Sequence, residues 1–202
     1  SSLVVNVLMD SKLIFSVIAI IIGFSATVPY VRDILSRKTK PHVYTWLIWS
    51  ITTGTAAFGV IYGGGGVGSL NLILLSLVTF GIFLLSIKYG TKNINTWDTI
   101  ILIMAILAIF VWWKLKQPLV SIFMISAIDV LGYLPSFRKS YEEPWSETLI
   151  SWIGFTLANT FAILALSQYN LLTTTYLISI AAANMMLFFI CLLRRPFVQK
   201  PT

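Results

Sequence analysis

Asp129 stands near the middle of a long apolar run, flanked by Ile125, Ile128, Val130 and Leu131. A carboxylate at the centre of a bilayer costs about 2.5–3.5 kcal/mol on insertion scales, so it faces a cavity, pairs with a partner or takes up a proton. Tyr133 follows four residues later, on the same helical face, and is the partner expected for it. Trp152, Thr156 and Asn159 share one stripe of another apolar run, and Trp49 and Thr53 form the matching stripe of an earlier one, where Ala56 replaces the amide. An indole face beside a hydroxyl and an amide suits a small polar solute, because the ring covers C–H surface while the amide both donates and accepts. Asn184 follows three alanines near the middle of the last run, where small neighbours let a ligand or another helix approach. Pro29 and Pro135 each remove one helical hydrogen bond at equivalent places in their runs and mark a pair of hinges or gates.

Other chemistries lack their residues. The four glycines at 63–66 are not followed by the Lys-Ser/Thr of a phosphate loop, and no nucleophile or metal-ligand pattern stands elsewhere. The single cysteine, Cys191, rules out an intrachain disulfide and a cysteine-based metal site. His42, the only histidine, reads as a polar residue at a membrane interface, beside Pro41. No lysine lies between Leu171 and Leu193, which disfavours a retinal Schiff base. Asp129 is the only ionisable group expected to be buried, so the expectation is a protein that is not an enzyme and carries no cofactor and no metal.

Composition says what positions these residues. The chain has 202 residues, 57% hydrophobic and 10% charged, against about 25% charged in a soluble domain. Seven stretches reach the roughly 20 residues of a membrane span: 12–36, 43–63, 67–89, 96–115, 118–140, 146–167 and 171–193. Residues 1–8 read as separate from the first span, with Met9-Asp10-Ser11-Lys12 as a natural start. The first span has no small-x-small cleavage pattern before Pro29. Eleven lysines and arginines fall after odd-numbered spans, including Arg37, Lys38, Arg138 and Lys139, and three, Lys12, Lys114 and Lys116, fall on the other side. The positive-inside rule then puts the amino terminus outside and the carboxyl terminus in the cytoplasm, at the plasma membrane of a prokaryote. The net charge of +7 follows from that distribution and does not call for nucleic acid.

The chain also repeats itself. Pro29 and Arg32 recur as Pro135 and Arg138 at an offset of 106, and Pro41 and Trp49 recur as Pro144 and Trp152 at an offset of 103. Both copies start on the same side, so they are parallel repeats about an axis along the membrane normal. The expected fold is all-α: a first triple-helix bundle over 12–89, a linker helix over 96–115 and a second bundle over 118–193 (3+1+3). In this plan, its prolines and its paired tryptophans, the chain resembles the SWEET and PQ-loop transporter superfamily, although the Pro-Gln dipeptide is replaced by Pro29-Tyr30 and Pro135-Ser136. The resemblance implies alternating access between two bundles, and a sugar-contacting asparagine that Asn184 matches in the second bundle while Gly81 stands in the first.

The expected function is a facilitator or proton-linked carrier of a small polar solute, a sugar being the class the resemblance implies. Trp49, Thr53, Trp152, Thr156, Asn159 and Asn184 would hold the solute. Asp129 and Tyr133 would handle charge or a proton. The partners expected are the solute and the lipid bilayer, with homo-oligomerisation left open. The rival expectation is a non-transporting seven-helix receptor or assembly factor, whose working surface would be charged loops such as 37–40 and Glu142-Glu143.

Overall fold

The computed structural model describes residues 2–115 and 117–200; Lys116, one of the three cations of the sparsely charged side, lies outside them. The described residues form seven α-helices and no strand: α1 Ser2–Leu35, α2 Val43–Tyr62, α3 Leu70–Tyr89, α4 Thr96–Leu115, α5 Pro118–Glu142, α6 Leu149–Leu164 and α7 Leu171–Arg194. Three stretches are long and apolar enough to cross a membrane: Ser11–Leu35, Gly66–Tyr89 and Leu171–Phe197. Shorter apolar helical stretches run Thr96–Leu107 and Leu149–Leu164. The helices α2 and α5 are less apolar because their inward faces are polar. Thr45, Thr52 and Thr53 are buried on α2, and Ser126, Asp129, Ser136, Lys139 and Ser140 on α5. The outward faces carry the opposite pattern. Ile14, Val17, Ile21, Phe24 and Val28 make an exposed apolar stripe on α1, and Leu70, Ile73, Leu77, Phe80, Leu84 and Ile87 make another on α3. Apolar stripes of that length turned outward match a lipid surroundings better than water.

Several ends differ from the sequence expectation. The first helix begins at Ser2, so residues 2–8 continue it. Residues 66–69 form a 3-10 turn ahead of α3, entered through Gly64 and Gly66 with φ of +81° and +58°, a backbone region that glycine enters without steric cost. The sixth helix begins at Leu149 and not at 146: Pro144–Ser146 makes a 3-10 turn and Thr148 is extended at the N-cap. Asn170 starts α7 through a capping box with Thr173. Both α1 and α5 continue through their prolines, which leaves the carbonyls of Ser25 and Leu131 without their helical donors.

Packing follows the repeat. Helix α3 packs on both α1 and α2, and α7 packs on both α5 and α6. Helix α1 also packs on α6 and α2 on α5, and α4 packs on α5. Small residues set both crossings. A side chain at Gly154 on α6 would meet the Ala26 Cβ on α1 at 2.5 Å, and one at Gly132 on α5 would meet Ile48 on α2 at 3.0 Å. Ala26 and Gly132 are themselves a repeat pair at the offset of 106, three residues before each proline.

The end of the molecule that gathers the loops 36–42, 90–95 and 195–200 buries charge. Lys139 is fully buried and paired with Glu147, and its ammonium also donates to the Lys40 carbonyl at 3.0 Å. The second oxygen of Glu147 accepts from Trp152 Nε1 at 2.9 Å. Asp98 accepts from Arg138 at 2.7 Å and lies 3.3 Å from His42 Nε2. His42 is fully buried, at the N-cap of α2. Its burial holds its pKa below the ordinary histidine range, against the opposing pull of Asp98. Lys139, Glu147, Asp98 and His42 all correct the expectation that Asp129 is the sole buried ionisable group.

Candidate functional site

The helices α2, α3, α5, α6 and α7 border a cavity of about 40 Å³. A single water occupies about 10–15 Å³ on this kind of measure, so the space takes a few water-sized groups. Seven of the expected site residues line it: Trp49, Thr53, Asp129, Tyr133, Trp152, Asn159 and Asn184. All are buried. Residues from five helices and both copies of the repeat converge on one place.

Asp129 is fully enclosed, and its Oδ1 accepts from Thr52 Oγ1 and from Tyr176 Oη, the latter at 3.1 Å. The expected partner Tyr133 does not bond it. The Tyr133 hydroxyl instead donates to Asn184 Oδ1 at 2.6 Å, and its ring lies against Trp49 with centroids 4.3 Å apart. One helical turn separates Asp129 from Tyr133, and the facing helices α2 and α7 bring a closer donor to each. Among the described residues no lysine, arginine or histidine pairs with Asp129, and its Oδ2 takes no protein hydrogen bond.

The tryptophans lie in the core and not at an interface. Trp49 stacks edge-on to Trp46 and Trp152, with centroids 5.0 and 6.0 Å away, and its Nε1 donates to the Asp129 carbonyl at 3.3 Å. Thr53 bonds back to the Trp49 carbonyl and lies 3.1 Å from the Thr79 hydroxyl on α3. Thr156, its counterpart in the repeat, bonds back to the Trp152 carbonyl at 3.0 Å and is not among the cavity-lining side chains. Asn159 donates to the Phe155 carbonyl at 2.9 Å, and its Oδ1 is buried with no donor. A buried acceptor without a partner costs about 1–3 kcal/mol, and here it borders empty space. Pro29 and Pro135 do not line the cavity; each lies next to a residue of the crossing helices, Tyr30 against Trp152 at 5.7 Å between centroids and Ser136 against Thr45 at 3.1 Å.

Sequence reasoning missed Thr52, Tyr176, Trp46, Phe155 and Thr79. Thr52 and Phe155 are a repeat pair at the offset of 103, a signal available in the sequence. Tyr176 carries no such mark, since its counterpart is Ile73. Among the described residues no group of three or more histidine, cysteine or acidic side chains could hold a metal, and the cavity contains one carboxylate. No protein-family model, curated protein or solved structure matches the chain significantly.

Proposed function

We propose that the protein is a membrane carrier for a small polar solute, built as two parallel triple-helix bundles, α1–α3 and α5–α7, with α4 as the linker that restores the direction of the chain. The observation that carries this reading is an aromatic and polar cavity lined by residues of both repeat copies, the usual place for a transporter's substrate. The contact pattern supports it, because each triplet has its third helix packed on the other two. Ties between the triplets at both ends also support it. Asn170 on the second copy donates to the Gly63 carbonyl at 2.9 Å at one end, and Lys139 donates to the Lys40 carbonyl at 3.0 Å at the other. Alternating access requires the two sets of ties to break in turn. The charge distribution orients the amino terminus outside and the Lys139 end toward the cytoplasm. Pro29 and Pro135 supply the bend at each crossing.

Asp129 is the group through which a proton gradient would act. Uptake into proteoliposomes is expected to respond to a pH gradient, and Asp129→Asn is expected to abolish that response. Unchanged gradient dependence in the variant removes Asp129 from the coupling.

A receptor reading draws on a second feature. The charged end holds a basin of about 820 Å³ bordered by Arg37, Lys38, Glu142 and Glu143. A receptor would bind its partner there and give no flux in purified vesicles, which separates the two readings directly.

A further inference from the structure

We infer that the solute is a compact organic cation, an aliphatic ammonium group of a few heavy atoms, held between the free oxygen of Asp129 and the unpaired oxygen of Asn159 in a space lined by aromatic rings. The inference rests on the carrier reading for the role of the cavity, and it follows from counting what the lining has left to offer. Most donors around the space are already committed: Tyr176 and Thr52 to Asp129, Tyr133 to Asn184, Trp49 to the Asp129 carbonyl and Trp152 to Glu147. Thr53 and Thr79 return to helix carbonyls. The donors left along the lining are the Trp46 indole N–H, the Asn184 amide and the second N–H of Asn159, all neutral. The acceptors left are the second oxygen of Asp129 and Asn159 Oδ1. A neutral hydroxyl meets these groups too; only a cation also balances the carboxylate charge.

Charge points the same way. Asp129 is buried with no cation beside it, an arrangement that is strongly unfavourable for an ionised carboxylate unless a counter-ion arrives. The rings of Trp49, Trp152 and Tyr133 line the same space and pack on one another, with the Trp49 and Trp152 centroids 6.0 Å apart at 71°, and aromatic rings favour a cation within about 6 Å of a centroid. The volume of about 40 Å³ limits the group to a few heavy atoms in this conformation.

A cation and a proton would then compete for one carboxylate. The titratable groups facing Asp129 are Tyr133 on its own helix and Tyr176 on α7. From α2 it meets Thr52 and the Trp49 indole, which carry no charge, and α4 brings its acid, Asp98, to Arg138 at the far end of α5. Solute binding therefore weakens as pH falls and Asp129 takes up a proton, and movement of the cation one way exchanges for a proton the other way.

The test compares methylammonium with methanol, its neutral counterpart of the same heavy-atom count, by calorimetric titration of the full protein in lipid nanodiscs. Methylammonium is expected to bind at least about tenfold more tightly than methanol, and more weakly as the pH is lowered. Asp129→Asn is expected to remove the preference. Equal binding of the two probes, or no binding of the cation at any pH from 5 to 8, overturns the inference without any variant, so a poorly folding Asp129→Asn does not shelter it. Flux is measured separately: cation binding without flux overturns the carrier reading and leaves the cation site standing, whereas flux of a neutral sugar with no cation binding does the reverse.

Discussion

Replacing Lys139 with methionine tests whether the buried charge at the loop-rich end holds the two halves together. Lys139 is fully buried and makes two bonds, one to Glu147 on the approach to α6 and one to the carbonyl of Lys40 in the other half. Methionine fills the same volume and carries neither. Glu147 would keep only Trp152 Nε1, at 2.9 Å, and would be left as a buried charge without its counter-ion. Breaking one partner of such a pair costs about 3–5 kcal/mol, whereas replacing both partners is often neutral. For a chain of this size each kcal/mol moves a melting temperature by about 2–4 °C, so Lys139→Met is expected to lower it by about 6–20 °C. The double variant Lys139→Met, Glu147→Gln keeps an acceptor for Trp152 and removes the stranded charge. It leaves the Lys40 carbonyl unpaired, at about 1–3 kcal/mol, and is expected to recover most of the loss. Thermal unfolding in detergent, followed by intrinsic tryptophan fluorescence, measures both. A single variant that melts within about 2 °C of the parent, or a double variant no better than the single, refutes the reasoning.

Two further outcomes concern packing and protonation. Gly154→Val places a branched side chain where even a Cβ would lie 2.5 Å from Ala26; overpacking of this kind costs about 1–3 kcal/mol, and Ala26→Gly in the same chain is expected to return part of it in a thermal melt. His42 is buried with its pKa below the ordinary value, first because of desolvation. The unfolded chain therefore binds more protons than the folded one just below the unperturbed pKa of about 6.5, so the contribution of His42 to stability is full above that pH and is lost as pH falls through it toward the folded value. His42→Gln, which keeps a donor for Asp98, is expected to show a smaller drop in melting temperature between pH 7 and pH 5 than the parent.

The helices were legible because apolar length announces them: the fourth helix runs over 96–115 as its composition predicts, and α2, α5 and α7 begin where the sequence places them. Boundaries failed where local backbone chemistry intervened, as at Pro144–Ser146, where a 3-10 turn delays α6. The cavity was half legible. Trp49, Trp152, Asn159, Asn184 and Asp129 stood out as polar or aromatic residues in apolar runs, and they do converge. Their partners did not, because a hydrogen bond between α5 and α7 depends on how two helices are rotated, which neither periodicity nor spacing specifies. Hence Asp129 found Tyr176 and Thr52, and Tyr133 found Asn184. Lys139 was misread for a related reason. A lysine after an odd-numbered span counts toward topology, but its burial depends on Glu147, eight residues away across a turn.

The repeat separates what the two copies share from what they do not. The prolines agree between copies, as do the small residues Ala26 and Gly132 three places before them and the tryptophans that meet across the junction. The polar groups of the cavity mostly do not agree. Asp129, Asn159 and Asn184 stand against Gly23, Ala56 and Gly81, and a separate void of about 20 Å³ lies beside Gly23 and Asn71 in the first copy. A faithful duplication would have put two carboxylates at the junction, where like charges in a low-dielectric site cannot both stay ionised and one is held protonated. A single carboxylate with a free oxygen has one occupant at a time. On the carrier reading proposed above, this asymmetry lets a proton and a solute cation exclude each other, while the symmetric frame around them lets either end of the molecule open.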